Sequence, residues 1–196
     1  MPTHRQAGDT RARIVAATER AIREYGIAGA TTKRIAQLAG CSEALLYKHF
    51  DGKESLVLAV ILEHAPVLAP ALKRLGDSAG TGDLAANLTE FAVAAVEFYT
   101  NSIPTAAGVM TEPALMAGFR EMLAANNLGP HMPIRALGAI LWGEQQAGRV
   151  RPGADCDALA VLLMGACYQR AHLSAFVDLP DTNEAFADTV VRTLLT

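Results

Sequence analysis

The stretch Thr31–Phe50, TTKRIAQLAGCSEALLYKHF, contains the pattern that decides the fold: two short helices joined by a tight turn. A hydroxyl of Thr31 or Thr32 can cap a helix over Lys33–Ala39. Gly40 can end that helix, because glycine adopts a left-handed conformation without steric cost. The first half of the stretch therefore predicts a short helix with a defined start and a defined stop.

The second half of the stretch predicts another short helix with two different sides. Ser42 can cap this helix after a three-residue connection, a length typical of a helix-turn-helix. At about 100° per residue, its apolar side carries Leu46 and Phe50. Its polar side carries Glu43, Ala44, Tyr47 and Lys48. One side can enter a core while the other offers a phenol, an ammonium and a carboxylate.

Two further helices flank this pair. Apolar residues at helical spacing predict a helix over Asp9–Tyr25 that stops at Gly26. A turn at 51–52 is followed by a predicted helix over Lys53–Glu63. The first of these completes a three-helix head of the kind that braces a helix-turn-helix.

The remainder of the chain is also predicted to be helical. Pro66 and Pro70 are expected to interrupt or kink the chain, and 102–104 should interrupt it again. Strand signals are scarce. The predicted helices are Asp83–Tyr99, Thr105–Met110, Pro113–Ala125, Ile134–Ala147, Asp155–Val177 and Thr182–Leu195. We therefore expect an all-α protein of about nine helices, with one domain over residues 1–55 and another over 56–196.

Composition bounds the class of protein. The chain has 196 residues, of which 51% are hydrophobic and 19% charged, so it can bury a substantial core. Residues 1–55 contain nine Lys/Arg and six Asp/Glu, a balance of +3, and residues 56–196 contain eight and fourteen, a balance of −6. A basic head on an acidic body suits a head that meets a polyanion, although composition noise could also produce it.

The cysteines and the N-terminus indicate a cellular location. Cys41, Cys156 and Cys167 lack metal-ligand spacing, so we expect small buried apolar residues in a reducing compartment. The start of the chain lacks an apolar signal segment, and its longest apolar run is half a membrane span. We expect a soluble, cytoplasmic protein that does not enter a membrane.

Enzyme classes find little support. The sequence has no GxSxG, no Gly-rich phosphate loop, no HExxH and no paired Cys/His set. We expect no enzymatic activity, no cofactor and no metal site.

These motifs resemble the tetracycline-repressor (TetR) family of bacterial regulators. The resemblance is close over Ile14–Leu62, where an Ile-Ala-x-x-Ala-Gly-x-Ser turn, a Leu-Tyr-x-x-Phe ending and a lysine that opens the fourth helix occur together. It implies an all-α homodimer with a DNA-binding head. It also implies a C-terminal domain that binds a small effector and forms the dimer through the last two helices.

The resemblance also implies which residues would bind a pseudo-palindromic duplex. Phosphate contacts would come from Thr31 or Thr32, Tyr47, His49 and Lys53. Residues in or near the major groove would be Ser42, Glu43, Ala44, Leu45 and Lys48. Cys41 stands where the family usually has valine, which suggests packing. Glu43 departs from the family pattern. It would either face a cytosine amino group or be held by a neighbouring basic side chain.

Aromatic, methionine and polar residues of the body could line an effector site, although most could equally be core. The candidates are Phe98, Met110, Glu112, Met116, His131, Trp142, Gln145, Tyr168 and His172. With these residues the sequence predicts a repressor that a small apolar effector releases from its operator. Two other classes stay open: a helical module that binds an acidic protein through its basic head, and an enzyme built on a helical bundle.

Overall fold

The computed structural model of the chain describes the backbone of residues 4–63 and 65–196 and the side chains of residues 9–62 and 68–196. The described residues form ten helices and no strand. The helices are α1 (His4–Gly29), α2 (Thr32–Leu38), α3 (Glu43–Tyr47), α4 (Lys53–Glu63), α5 (Ala65–Asp77), α6 (Leu84–Met110), α7 (Pro113–Ala125), α8 (His131–Gln146), α9 (Cys156–Ser174) and α10 (Asn183–Leu195). The all-α prediction is confirmed.

The contacts divide the chain into two compact units. The head unit comprises Met1–His64 with Pro104–Leu128, and the body unit comprises Ala65–Ile103 with Gly129–Thr196. These units are defined by packing, whereas the boundary expected between residues 55 and 56 separates functions, and that boundary stays a prediction.

The core of the head unit joins α1 to the helix-turn-helix. Ile14 and Val15 of α1, Ile35 of α2 and Leu46 of α3 are almost completely buried together. A second cluster packs α4 against α7 and is built on Ile27, Val57, Val109 and Leu115. At its edge Gly118 of α7 lies close to Glu54, and a Cβ there would be 3.0 Å from Glu54 Oε1, so the glutamate side chain would have to move.

The core of the body unit is formed by the inward faces of five helical segments. Phe91 of α6, Leu75 of α5, Leu137 of α8 and Met164 of α9 are all less than 3% exposed. Asp155 caps α9 and Thr182 caps α10 through side-chain oxygens that accept backbone N–H groups. The apolar faces that the sequence predicts for these helices are therefore turned into one core.

One predicted interruption is wrong. α6 continues through Ser102 and Pro104 to Met110, where the sequence predicted a break and a separate helix. α5 also continues through Pro70 to Asp77, so Pro70 does not end that helix, and the alternative of a kink there stays a prediction. A proline in a helix removes one hydrogen bond, but burial of an apolar face outweighs that loss in a long helix. The predicted effect of Pro66 depends on a side chain outside the described residues.

α1 also differs from its predicted bounds. It begins at His4, five residues earlier than expected, and extends to Gly29. The stop predicted at Gly26 is present as a kink, since Gly26 has φ 69 and ψ 172. Residues 27–29 then form a last helical turn that carries Ile27 into the second head cluster. The first helical stretch therefore ends at Gly26, as the sequence predicts, and a short second stretch follows it.

A buried carboxylate fixes the loop between α5 and α6. Glu144 of α8 is 1% exposed and accepts hydrogen bonds at 3.2 Å from the Gly80 N–H. Its Oε2 lies 3.3 Å from Nε of Arg149, which also donates to the carbonyl oxygens of Thr81 and Gly82. This network satisfies the buried charge and holds the loop against α8.

No helix among the described residues combines the length and the apolar character needed to cross a bilayer.

We expect Glu144→Ala to lower the free energy of unfolding by about 2–4 kcal/mol, because it leaves the Gly80 amide and the Arg149 guanidinium without their partner. The matched control is Glu90→Ala, which removes an exposed pair with Arg74 and should cost less than about 1 kcal/mol. Urea unfolding followed by circular dichroism measures both. Equal losses in the two variants would contradict a special role for Glu144.

Candidate nucleic-acid interface and effector region

The turn between α2 and α3 is built as the sequence predicts. The Thr31 hydroxyl accepts a hydrogen bond at 3.3 Å from the Arg34 N–H and caps α2. Gly40 has φ 62, a left-handed conformation that favours glycine. The Ser42 hydroxyl accepts a hydrogen bond at 3.1 Å from the Leu45 N–H and caps α3. Both caps and the stop therefore occupy their predicted positions.

Two arginines of α1 brace this turn. The Arg13 guanidinium donates to the Ala39 carbonyl at 2.6 Å and to the Gly40 carbonyl at 3.4 Å, which satisfies the end of α2. The Arg11 guanidinium lies 5.1 Å from the ring centroid of Phe50. The sequence pattern assigns these arginines no role. Their position beside the apolar stripe of α1 was the signal that could have indicated contacts with the turn.

The exposed side of α3 carries the polar residues of the predicted DNA-binding set. Leu46 and Phe50 are buried, whereas the opposite side chains face outward. Those outward side chains belong to Ser42, Glu43, Ala44, Tyr47 and Lys48. Leu45 is half-buried, so less of its side chain is available than that of its neighbours. The surface of α3 is therefore one continuous polar strip, termed here the reading face.

A hydrogen-bonded chain crosses the reading face. The Tyr47 hydroxyl donates to Thr32 Oγ1 at 3.4 Å, and the Thr32 hydroxyl donates to Glu43 Oε1 at 3.2 Å. Thr32 is the first residue of α2, so the chain connects α2 to both ends of α3. These contacts were not foreseen from the sequence, because residues eleven and fifteen positions apart meet only after the turn has formed.

The two remaining predicted phosphate contacts lie near the start of α4. Lys53 is the first residue of α4, and His49 lies just after α3; both side chains are half-buried. His49 lines a groove of about 440 Å³ together with Arg11, Glu54 and Met122. Their proposed contacts with DNA stay predictions.

The cysteines differ in their surroundings. Cys156 and Cys167 are buried, as expected, whereas Cys41 in the turn between α2 and α3 packs against the head core but is only partly buried. Its backbone N–H donates to the Ala36 carbonyl, which keeps the residue at the rim of the head core. Burial raises the pKa of the Cys167 thiol to about 12.

The predicted effector residues fall in both packing units. Met110, Glu112 and Met116 belong to the head unit, where Met110 is 69% exposed and Met116 packs against the second head cluster. The others belong to the body unit, namely Phe98, His131, Trp142, Gln145, Tyr168 and His172. Their shared role as effector contacts stays a prediction.

Two of the body residues line one groove. Trp142 and Gln145 of α8 border an open groove of about 770 Å³ that also includes Arg135, Asp157 and Val161. The Gln145 amide nitrogen donates to the Arg151 carbonyl at 3.0 Å and to the Ala154 carbonyl at 2.9 Å. Gln145 therefore fixes the loop before α9, whereas Trp142 is 60% exposed.

Aromatic rings connect the body core with its surface. Phe98 and Tyr99 have ring centroids 5.4 Å apart, and Tyr99 meets the ring of Tyr168 edge-on at 5.3 Å. Tyr168 is followed by His172 on α9 and by Phe176 just after the helix ends. Burial raises the pKa of Tyr99 to about 12, so its phenol stays neutral. His131 lies apart from this series, exposed at the start of α8.

No group of three His, Cys, Asp or Glu side chains within the described part of the chain could hold a metal ion.

The reading face and its bracing helix define a class of protein, a helix-turn-helix protein with an all-α body. Residues 14–60 match the family model described as "Bacterial regulatory proteins, tetR family". The head of the chain is therefore similar to the DNA-binding region of TetR-family regulators.

A curated relative supports the same assignment for the head. The chain is 42% identical over 59 residues to the HTH-type transcriptional regulator TtgR of Pseudomonas putida. That match covers 30% of this chain and 28% of TtgR, so it concerns the head region alone.

Solved structures resemble the whole chain. One described as a TetR-family transcriptional regulator from Mesorhizobium loti has a TM-score of 0.75 at 18% identity and covers 99% of this chain and 98% of its own. GusR of Salmonella enterica has a TM-score of 0.68 at 26% identity and covers 95% and 93%. FadR of Bacillus subtilis, described in complex with stearoyl-CoA, has a TM-score of 0.66 at 18% identity and covers 94% and 97%. Matches below 25% identity establish the shared fold.

Proposed function

We propose that the protein is a homodimeric, DNA-binding transcriptional repressor of the bacterial cytoplasm that a small apolar effector releases from its operator. The observation that carries the proposal is the reading face, which presents Tyr47 and Lys48 outward on a short helix anchored by Leu46 and Phe50. A phenol donates to phosphate oxygens, and an ammonium reaches guanine O6 and N7 in the major groove.

The electrostatics of the head support a DNA partner. Three lysines in the segment around the reading face have partly or fully exposed side chains, namely Lys33, Lys48 and Lys53. Each lysine that neutralises a phosphate releases counterions, so affinity should fall steeply as salt increases. Thr31 or Thr32, Tyr47, His49 and Lys53 would fix the register on the backbone, and Ser42, Glu43, Ala44, Leu45 and Lys48 would lie in or near the groove.

A dimer is proposed because one reading face covers only half of a pseudo-palindromic operator, whose half-sites lie about one helical turn apart. α9 presents exposed Val161, Leu162 and Tyr168, and Phe176 is exposed just after it, without a covering element in the described chain. The family resemblance predicts the interface on the last two helices. α10, however, exposes no large apolar side chain over its described residues, whereas α9 exposes several. α8 contributes exposed Trp142 beside α9, so we propose α8 and α9 as the main interface.

Effector binding in the body is proposed on fold similarity. FadR of Bacillus subtilis shares this fold and is described in complex with stearoyl-CoA. Within the body unit, Phe98 and Tyr168 could meet an apolar ligand, and His172 could supply a polar contact. Exposed Trp142 is a candidate both for the effector site and for the dimer surface.

The first test is DNA binding by a single-lysine variant. Lys48→Ala should weaken binding to an operator selected from random duplexes by roughly 5- to 100-fold, because it removes one direct base contact. Lys73→Ala removes the same charge from an exposed ion pair of the body and should leave affinity unchanged. Fluorescence anisotropy at several salt concentrations measures both, and a selection that enriches no duplex for the wild-type protein would refute DNA recognition.

The second test places the dimer interface. Leu162→Glu puts a carboxylate into the exposed apolar strip of α9 and should convert the dimer to monomer at micromolar concentration. Thr189→Glu makes the comparable change on the exposed side of α10 and should leave the dimer intact. Sedimentation velocity gives both masses. A monomeric Thr189→Glu variant beside a dimeric Leu162→Glu variant would instead place the interface on α10.

The third test concerns the effector. A molecule that the purified protein retains should appear in native mass spectrometry as added mass on the dimer and should be extractable with organic solvent. The extracted molecule, added back to the protein–operator complex, should lower DNA affinity by about tenfold or more. Release requires that the effector bind the DNA-free conformation of the protein much more tightly than the DNA-bound conformation. A bound molecule without effect on DNA affinity would argue against effector-driven release.

A further inference from the structure

We infer that Glu43 determines sequence specificity by accepting a hydrogen bond from the exocyclic amino group of a cytosine at one position of each operator half-site. The inference rests on the proposed binding of DNA by the reading face. It adds to that proposal the base that one particular side chain recognises.

Glu43 is unexpected on a surface that approaches phosphates. Its side chain is exposed beside Ala44 and on the same side of α3 as Tyr47 and Lys48. None of the ion pairs formed within the described residues involves it. A carboxylate in this position repels the DNA backbone, so it lowers affinity for every sequence unless a base compensates it.

A neighbouring basic side chain could instead hold Glu43, but the structure gives Glu43 a neutral partner. The partner is the Thr32 hydroxyl, a neutral donor 3.2 Å from Oε1, and Thr32 is itself contacted by Tyr47. A neutral donor orients the carboxylate without cancelling its charge. Oε2 has no donor among the described residues and remains available as an acceptor.

The chemistry of the major groove favours cytosine over the other bases. Guanine presents two acceptors there and thymine presents one acceptor with a methyl group, so both repel a carboxylate. Adenine presents its N6 amino donor next to the N7 acceptor, and N7 repels a carboxylate that approaches the amino group. Cytosine presents an N4 amino donor alone. A carboxylate held in one orientation therefore discriminates in favour of cytosine.

The experiment selects binding sites from random duplexes with wild-type protein and with Glu43→Ala and Glu43→Gln. Wild-type sites should contain cytosine at one position of each half-site, and changing that base should weaken binding roughly 5- to 100-fold. Glu43→Ala should reduce this discrimination below about twofold while binding random duplex more tightly. Glu43→Gln should change the preferred base to adenine, because glutamine matches adenine N6 and N7.

Asp51→Ala is the charge-matched control, since it removes an exposed carboxylate from the turn after α3. It should raise affinity for all duplexes alike and keep the cytosine preference. Retention of the full preference in Glu43→Ala or in Glu43→Gln would overturn the inference, while an enriched wild-type motif would leave DNA recognition intact. Failure of the wild-type protein to enrich any motif would instead refute the proposed function itself. Thermal unfolding confirms that each variant is folded.

Discussion

Burial of Leu46 and Phe50 is the constraint on which the head depends. α3 has five residues, too few for a helix to persist alone in water, because nucleation is unfavourable and few hydrogen bonds follow it. Its stability must come from packing against Ile14 and Ile35 and from the Ser42 cap. The register of the buried side fixes the register of the exposed side. Burial of Leu46 and Phe50 therefore turns Tyr47 and Lys48 outward.

The bracing of the turn adds direction to this anchoring. Arg13 satisfies the last carbonyl oxygens of α2, and Arg11 covers the ring of Phe50. Both come from α1, so the bracing helix positions the turn through charge as well as through apolar contact. Thr32 then connects α2 with Glu43 and Tyr47 on the outer side. The reading face is thereby held from the inside and from the outside, which suits the proposed contact with a rigid duplex.

The sequence predicted what depends on local chemistry. Caps at Thr31 and Ser42, the left-handed Gly40 and the bounds of α4 and α7 follow from the preferences of single residues and from spacing. The error at Pro104 has a tertiary cause: α6 passes through this residue because Ser102, Thr105 and Val109 beside it are buried. The contacts of Arg13 and Thr32 join residues distant in sequence, which periodicity cannot reveal. The effector set shares a composition rather than a pattern, and composition does not specify neighbours.

Pro104 has a mechanical consequence. Its ring removes the amide that would otherwise donate to the Thr100 carbonyl, so α6 lacks one rung of its hydrogen-bond ladder at that point. The same residue is where the chain leaves one packing unit and enters the other. A helix bends most easily where a backbone hydrogen bond is missing, so any bending of α6 should be largest at Pro104.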